Sequence, residues 1–190
     1  MNHQITRIFD FVGHQLANTA HERCLNYKEK NQWKAISTES FSKQIDQASH
    51  ALLALGVAPN DKIAVITKNN NPNWHILDTA VLQIGAQNVP LYATLSKKDY
   101  EYILNHSDAK FCFVSDTELY DKVLAVKERT GLEDIFLLNN LNTSYDWNSF
   151  LSKGKNIDYT EEIAARKKQV KPEDLATIIY TSGTTGIPKG

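Results

Sequence analysis

Residues 61–92 read DKIAVITKNNNPNWHILDTAVLQIGAQNVPLY, and this stretch decides the fold class. Its first apolar run, Ile63–Ile66, has the length and composition of a buried strand. Asn71–Pro72 then supplies a helix cap and a proline at the first helical position, after which apolar residues continue at helical spacing. The run Asn88–Tyr92 predicts a second strand, which Pro90 confines to a sheet edge or a strand end because proline has no N–H. The stretch therefore predicts one strand–helix–strand unit.

The same alternation of strands and helices continues on both sides of this unit. Ser96 and Asp99 have the spacing of a capping box, which predicts a helix to about His106. Further strands are predicted at Phe111–Val114, Ile135–Leu138 and Ala176–Tyr180, further helices at Ile5–Ala20, Phe41–Leu55 and Thr117–Thr130, a hairpin at Cys24–Lys28 and Trp33–Ser37, and two short helices within Thr143–Lys171. The predicted fold class is α/β, a mainly parallel sheet layered between helices. In such sheets, ligands bind beyond the carboxyl ends of the strands.

Composition and charge exclude several function classes. The chain has 190 residues, enough for one domain or one lobe of a larger domain. Its 21 Lys and Arg residues and 22 Asp and Glu residues give a formal net charge of −1, which removes the main electrostatic reason to propose nucleic-acid binding. Two cysteines cannot form a disulfide scaffold, and no apolar run approaches the length of a membrane-spanning helix. The first residues lack a signal-peptide pattern, so we expect a cytoplasmic protein, with contact to a membrane surface left open.

The chemically unusual segment follows the last predicted strand. Its ten residues, Thr181–Gly190, contain three Gly, three Thr and one Ser, together with Lys189. Glycine allows successive N–H groups to converge on phosphate oxygens, the hydroxyls add donors, and the lysine adds a mobile positive charge. The segment matches neither the G-x-x-x-x-G-K-[ST] loop nor the G-x-G-x-x-G dinucleotide fingerprint. Composition alone leaves both a phosphate cradle and an ordinary surface loop open.

The closing string of residues 180–190 reads YTSGTTGIPKG and resembles the signature phosphate loop of adenylate-forming enzymes. That superfamily includes acyl-CoA synthetases, luciferases and the adenylation domains of peptide synthetases. Asn71–Trp74, Gly85–Ser96 and Tyr102–Lys110 are also similar to the N-terminal region of this family. The residues around Leu91–Ser96 and Ile103–Ser107 are most like those of long-chain fatty-acid–CoA ligases.

The resemblance implies that residues 1–190 are a partial AMP-binding domain, the N-terminal part of an adenylate-forming domain. It implies a two-step reaction, in which a fatty-acid carboxylate attacks the α-phosphate of Mg-ATP and the thiol of coenzyme A then displaces AMP. The phosphate contacts that it implies by position are Thr181, Ser182, Gly183, Thr184, Thr185, Gly186 and Lys189. Thr184 is the candidate residue for contact with the Mg²⁺ that accompanies ATP. The implied ligands are ATP, Mg²⁺, coenzyme A and a fatty acid.

In this family the acyl pocket and the C-terminal domain follow the phosphate loop, so the resemblance implies that the catalytic residues lie beyond residue 190. We therefore expect a fragment, artificially shortened or a truncated gene product, that does not catalyse adenylation alone. We expect such a fragment to expose apolar surface where the missing elements would pack, and therefore to self-associate. Another acyl or aryl acid remains open as the substrate, and so does a non-catalytic association module. A kinase-like phosphotransferase is disfavoured, because no catalytic Asp–Asn loop pattern accompanies the segment.

Several single residues have plainer interpretations. His106 is interpreted as a helix-end histidine rather than as a member of a catalytic triad. Cys112 is predicted to be a small core residue, and Trp74 is predicted to pack in the core rather than against a ligand. Tyr92 and Thr94 lie beyond a strand end near the predicted ligand face, and ordinary loop structure is the default interpretation for both.

Overall fold

The computed structural model describes residues 5–182 and 188–190. In chain order its elements are α1 (Asp10–Asn18), β1 (Leu25–Glu29), β2 (Gln32–Ile36), α2 (Thr38–Ala54), β3 (Lys62–Thr67), α3 (Pro72–Gln83), β4 (Gln87–Tyr92), α4 (Lys97–His106), β5 (Ala109–Val114), α5 (Thr117–Lys127), β6 (Asp134–Leu137), α6 (Trp147–Ser152), α7 (Thr160–Gln169), β7 (Thr181–Ser182) and β8 (Pro188–Lys189).

Strands β3 to β6 form one parallel sheet in the order β4-β3-β5-β6. The predicted α/β class is confirmed, and so are the antiparallel hairpin of β1 with β2 and the two short helices α6 and α7. β4 is an outer strand of this sheet, as Pro90 predicts. Over the described ranges, no helix combines the length and apolarity needed to cross a membrane.

The strands present alternate side chains to two buried layers, as the two-residue period of a strand requires. Ile63 and Val65 of β3 belong to the layer that contains buried residues of α2, α3 and α6. Ala64 and Ile66 belong to the opposite layer, with residues of α4 and α5. Cys112 is fully buried in this second layer, and its burial raises the pKa of the thiol. The sheet is thus layered between helices, and the core interpretation of Cys112 is confirmed.

Local capping motifs determine where helices begin. The Asn71 side chain accepts a hydrogen bond of 2.8 Å from the Asn73 N–H at the start of α3. Ser96 and Asp99 form the predicted capping box at α4, because Ser96 Oγ accepts from the Asp99 N–H at 3.2 Å and the Asp99 carboxylate accepts from the Ser96 N–H at 3.1 Å. These bonds satisfy N–H groups that have no partner inside the helix.

The predicted strand at Ala176–Tyr180 is wrong, because this segment makes only an isolated parallel bridge to β4. The Asn88 N–H donates to the Ala176 carbonyl at 3.0 Å, and the Asn88 carbonyl accepts from the Ile178 N–H at 2.9 Å. Two residues further along the same edge, Pro90 has no N–H with which to continue the ladder. The segment therefore leaves the sheet after one bridge, and Ile179 is exposed rather than buried.

The predicted N-terminal helix is shorter than expected, since α1 begins at Asp10 and buries none of its own residues. The Asp10 carboxylate accepts hydrogen bonds from the N–H groups of Thr6 at 3.2 Å and Arg7 at 2.9 Å. These bonds hold the preceding residues in a turn, so the helix cannot extend back to Ile5. Ile8, which lies within the predicted range Ile5–Ala20, is outside the helix and 56% exposed.

A close contact between α2 and the turn after α6 makes Gly154 sensitive to substitution. A Cβ atom at this position would lie 2.6 Å from the Ala51 N and 2.6 Å from the His50 carbonyl carbon. We expect Gly154→Ala to lower the free energy of unfolding by about 1–3 kcal/mol, the usual cost of overpacking, in urea denaturation. Gly13→Ala in α1 is the control, because open space surrounds Gly13 and alanine should raise stability by about 0.5–1 kcal/mol. Equal stability of the two variants would contradict this packing.

Candidate functional site

The predicted phosphate-binding segment begins and ends on a short antiparallel ladder. Thr181 pairs with Lys189, and Ser182 pairs with Pro188. The side chains of Thr181 and Lys189 are exposed, so a ligand can reach both. The structure thus brings together three predicted phosphate contacts, namely Thr181 and Ser182 on one strand and Lys189 on the other.

Four of the predicted site residues lie outside the described residues: Gly183, Thr184, Thr185 and Gly186. They fall within the connection between β7 and β8, and the predicted Mg²⁺ role of Thr184 falls there with them. Elsewhere in the chain, the described residues contain no group of three or more His, Cys, Asp or Glu side chains that could hold a metal ion. The Mg²⁺ expected to accompany ATP stays a prediction.

Tyr180 connects the base of this loop to helix α4. Its hydroxyl lies 2.7 Å from Nδ1 of His106, the last residue of α4. The helix-end interpretation of His106 is confirmed, but the contact with Tyr180 was not predicted. No spacing in the sequence signals it, because 74 positions separate the two residues.

An apolar groove lies beside the loop base, at the carboxyl ends of β3 and β4. This cavity of about 390 Å³ is lined by residues that include Trp74, Pro90, Tyr92 and Ile179, and we call it the Trp74 groove. Trp74 also packs against the core, so the prediction of core packing is confirmed while part of the side chain borders the groove. Tyr92 is 67% exposed at the end of β4. Thr94 is exposed in the turn that follows β4, which matches the default loop interpretation.

After β3 the chain passes to α3 on one side of the sheet, and after β5 it passes to α5 on the other side. The protein's own polar groups occupy the crevice between the carboxyl ends of these two strands. Lys68 Nζ lies 3.2 Å from an Asp116 oxygen and 2.5 Å from a Glu118 oxygen. Ser115 Oγ donates to Asp116 at 2.8 Å, and Asn139 Nδ2 donates to the Ser115 carbonyl at 2.7 Å. Burial would raise the pKa of Asp116, but hydrogen bonds and Lys68 hold it below its ordinary value. The candidate site is therefore the loop base with the adjacent groove.

Asp78 is a largely buried carboxyl on α3 that sequence analysis did not single out. It lines a second cavity of about 240 Å³, which shares Trp74, Pro90 and Ile179 with the Trp74 groove. The Asn88 Nδ2 group lies 2.5 Å from the Asp78 Oδ1 atom. Burial raises the pKa of Asp78 from 3.8 to about 6. The apolar wall of this cavity thus favours a protonated carboxyl.

The raised pKa of Asp78 predicts a loss of stability as pH rises. The folded protein keeps this proton up to about pH 6, whereas the unfolded chain loses it near pH 4. Between these values the unfolded state gains about 2–3 kcal/mol relative to the folded state, and the penalty persists at higher pH. We expect Asp78→Asn to be more stable than the wild type by this amount at pH 7 and by no more than about 0.5 kcal/mol at pH 4. Urea denaturation at both pH values tests this, and a constant difference between the two proteins would contradict it.

Comparison with known proteins decides the family. The model of the family described as "AMP-binding enzyme" matches residues 12–190. The chain belongs to the AMP-binding enzyme family. Among the relatives of this family member is the long-chain-fatty-acid–CoA ligase FadD15 of Mycobacterium bovis, which is 31% identical over 162 residues that cover 83% of this chain and 26% of the relative. Another is 4-hydroxybutyrate–CoA ligase 2 of Metallosphaera sedula, 34% identical over 157 residues that cover 80% of this chain and 28% of the relative.

Solved structures show the fold of this chain. A long-chain-fatty-acid–CoA ligase, FadD1, from Archaeoglobus fulgidus superposes with a TM-score of 0.74 at 22% identity. The superposition covers 96% of this chain and 35% of that protein. The resemblance found in the sequence is thereby confirmed. The chain spans about a quarter of the length of the two curated relatives.

Proposed function

We propose that this chain supplies the phosphate loop and the N-terminal sheet of an ATP-dependent acid–thiol ligase. The ligase would activate a long-chain fatty acid as its acyl-adenylate and transfer the acyl group to coenzyme A. The observation that carries the proposal is the pairing of Thr181 with Lys189, which brings a hydroxyl and an ammonium group to the base of one hydroxyl-rich loop. The relatives' names support the reaction class. We use the term parent ligase for the longer protein, of its relatives' length, in which this chain would act.

The chemistry required of this loop is electrostatic. As the fatty-acid carboxylate attacks the α-phosphate of ATP, negative charge shifts onto the departing pyrophosphate. The hydroxyl of Thr181 and the ammonium group of Lys189 would hold the β- and γ-phosphates, with the contacts expected in residues 182–186 between them. Mg²⁺ carried by ATP would offset part of the same charge, with Thr184 as the nearest predicted residue. Preorganised donors of this kind accelerate the reaction without forming a covalent bond to the substrate.

A shorter or aryl acid is the alternative substrate within the same reaction class. The relative named 4-hydroxybutyrate–CoA ligase 2 has a higher identity to this chain, 34%, than the long-chain ligase FadD15, 31%. A chain without catalytic activity that acts only in association is the alternative from another class. Ile8, Leu175 and Ile179 are each more than half exposed, and self-association through such side chains is the behaviour we propose for the chain alone. Sedimentation that showed only monomer at high concentration would argue against it.

Product analysis tests the proposed reaction. The DNA downstream of the Gly190 codon is read first, and an open reading frame into an aromatic adenine-binding segment supports a parent ligase. The parent ligase is then given Mg-ATP, coenzyme A and one acid at a time: a long-chain fatty acid, 4-hydroxybutyrate or an aryl acid. We expect AMP, pyrophosphate and an acyl thioester, with the long-chain acid preferred. Formation of ADP without pyrophosphate would refute the ligase and favour a kinase. The 190-residue chain serves as the comparison and is expected to give no thioester.

A further inference from the structure

The segment that leads into the phosphate loop is attached to the fold by an isolated bridge to β4, by partly buried Ile178 and by Tyr180. Among residues 176–181, Tyr180 is the buried one, and it packs with the core layer that contains α4 and α5. Its neighbours Ile179 and Thr181 are exposed. The adjoining backbone makes only an isolated bridge to β4, and Tyr180 is the buried side chain next to the position at which β7 begins.

His106 gives Tyr180 both a polar and an aromatic contact. The Tyr180 hydroxyl lies 2.7 Å from His106 Nδ1, and the two rings meet edge to face with centroids 5.7 Å apart. His106 in turn stacks on Tyr102, one helical turn earlier, at 5.5 Å. Either histidine tautomer permits the hydrogen bond, because a phenol can both donate and accept. The Tyr180 hydroxyl is therefore held by a helix whose start is capped by Ser96 and Asp99.

The outgoing end of the loop rests on the same ring. A Cβ atom at Gly190 would lie 2.7 Å from Tyr180 Cζ and 2.9 Å from Cε2, which leaves no room for a side chain there. On the incoming side, Thr181 follows Tyr180 directly and pairs with Lys189. Both ends of the loop thus converge on Tyr180, and the hydroxyl of that residue is held by α4.

From this geometry we propose that His106 and Tyr180 are positioning residues for polyphosphate binding, which hold both ends of the phosphate loop in register on helix α4. The inference rests on the proposed function, since the position of the two loop ends matters for catalysis only if the loop binds ATP. The consequence is that loosening the His106–Tyr180 contact lets the β7–β8 ladder open more often. ATP then binds less tightly, because part of its binding energy is used to order the donors.

Amide hydrogen exchange of the 190-residue chain tests the anchor directly. Tyr180→Phe removes the hydroxyl, and His106→Phe keeps an aromatic ring while removing the nitrogen. His106→Asn places a polar atom where Nδ1 was, without the ring. We expect exchange at Thr181, Ser182, Lys189 and Gly190 to quicken about 2- to 10-fold in the two Phe variants, in line with the loss of one hydrogen bond, and to stay within about 2-fold in His106→Asn.

Tyr100→Phe is the matched control, because it removes another tyrosine hydroxyl bond from the same helix. The Tyr100 hydroxyl donates to the Tyr92 carbonyl at 3.0 Å, at the end of β4 rather than at Tyr180. Exchange at the loop base should stay at the wild-type rate in this variant. The proposal is overturned if Tyr180→Phe leaves that rate unchanged, or if Tyr100→Phe quickens it equally.

Steady-state kinetics of the parent ligase tests the functional consequence. We expect Tyr180→Phe and His106→Phe to raise KM for ATP about 2- to 10-fold, with KM for the acid unchanged and the wild-type value kept by His106→Asn. Quickened exchange with an unchanged KM for ATP would refute the positioning role. If the wild-type parent ligase makes no AMP, the proposed function fails, and the exchange data alone then confirm or refute the anchor.

Discussion

Replacing Lys189 by methionine is expected to lower kcat/KM for ATP in the parent ligase by about 10²- to 10³-fold. The physical reason is that, in the proposed reaction, one preorganised charge at the departing pyrophosphate is lost, and the loss of a single such donor typically has this magnitude. Methionine keeps the length and apolar stem of the side chain, so the Thr181–Lys189 backbone pairing should persist. Pyrophosphate release at several ATP concentrations measures the effect.

Lys168→Met is the matched control for this substitution. Lys168 is exposed on α7, outside the candidate site, and the same loss of charge there should leave kcat/KM within about 2-fold. Lys189→Arg retains the charge with a different geometry and should retain more activity than Lys189→Met. Equal activities of the wild type and Lys189→Met would show that this ammonium group takes no part in phosphate binding.

Replacing Phe113 by alanine is expected to lower the free energy of unfolding by about 3–5 kcal/mol, the usual range for a buried aromatic residue. Phe113 is fully buried in β5. Its ring centroid lies 4.9 Å from that of Phe150, 5.3 Å from that of Phe136 and 6.4 Å from that of Trp147. The substitution leaves a cavity between the sheet and α6 that these rings cannot refill. Urea denaturation of the 190-residue chain measures the effect.

Leu124→Ala provides the comparison for the Phe113 variant. Leu124 lies on α5 and is 48% exposed, so its truncation should change stability by no more than about 0.5 kcal/mol. A loss below about 1 kcal/mol in Phe113→Ala would contradict the aromatic contacts between β5, β6 and α6. A loss in Leu124→Ala as large as that in Phe113→Ala would contradict the burial pattern of α5.

The parts of the fold that could be predicted from sequence depend on groups close together along the chain. The Asn71 cap and the Ser96–Asp99 capping box each join residues no more than three positions apart, and both are confirmed. The parallel sheet could be predicted because strands and helices alternate at regular intervals. Pro90 correctly predicted an outer strand, since its missing N–H acts at one known position.

The errors arise where hydrogen bonding competes with an apolar pattern. Ala176–Tyr180 has the composition of a strand, but it could pair only with β4, where Pro90 lacks the N–H needed to continue the ladder. The pattern of the first helix is similarly overridden by the Asp10 carboxylate, which holds Thr6 and Arg7 in a turn. In both cases an apolar spacing predicts which residues could be buried, whereas hydrogen bonding decides which of them join a regular element.

The candidate site likewise has a part that could be predicted from the sequence and a part that could not. The string of residues 180–190 could be found by its resemblance to a known loop, and the structure pairs Thr181 with Lys189 and Ser182 with Pro188. The contacts of His106 with Tyr180 and of Asp78 with Asn88 could not be found, because each pair of side chains meets only once the chain has folded. Neither pair has a sequence spacing that separates it from ordinary polar residues.

The central claim is that the loop of residues 181–189 binds the β- and γ-phosphates of ATP while a carboxylic acid is activated. Acid-dependent exchange of labelled pyrophosphate into ATP, measured on the parent ligase without coenzyme A, tests this claim most directly because it reports adenylate formation alone. We predict that label enters ATP only when a fatty acid is present, and that Lys189→Met abolishes most of the exchange. A folded parent ligase that shows no acid-dependent exchange with any acid of the panel would contradict the claim.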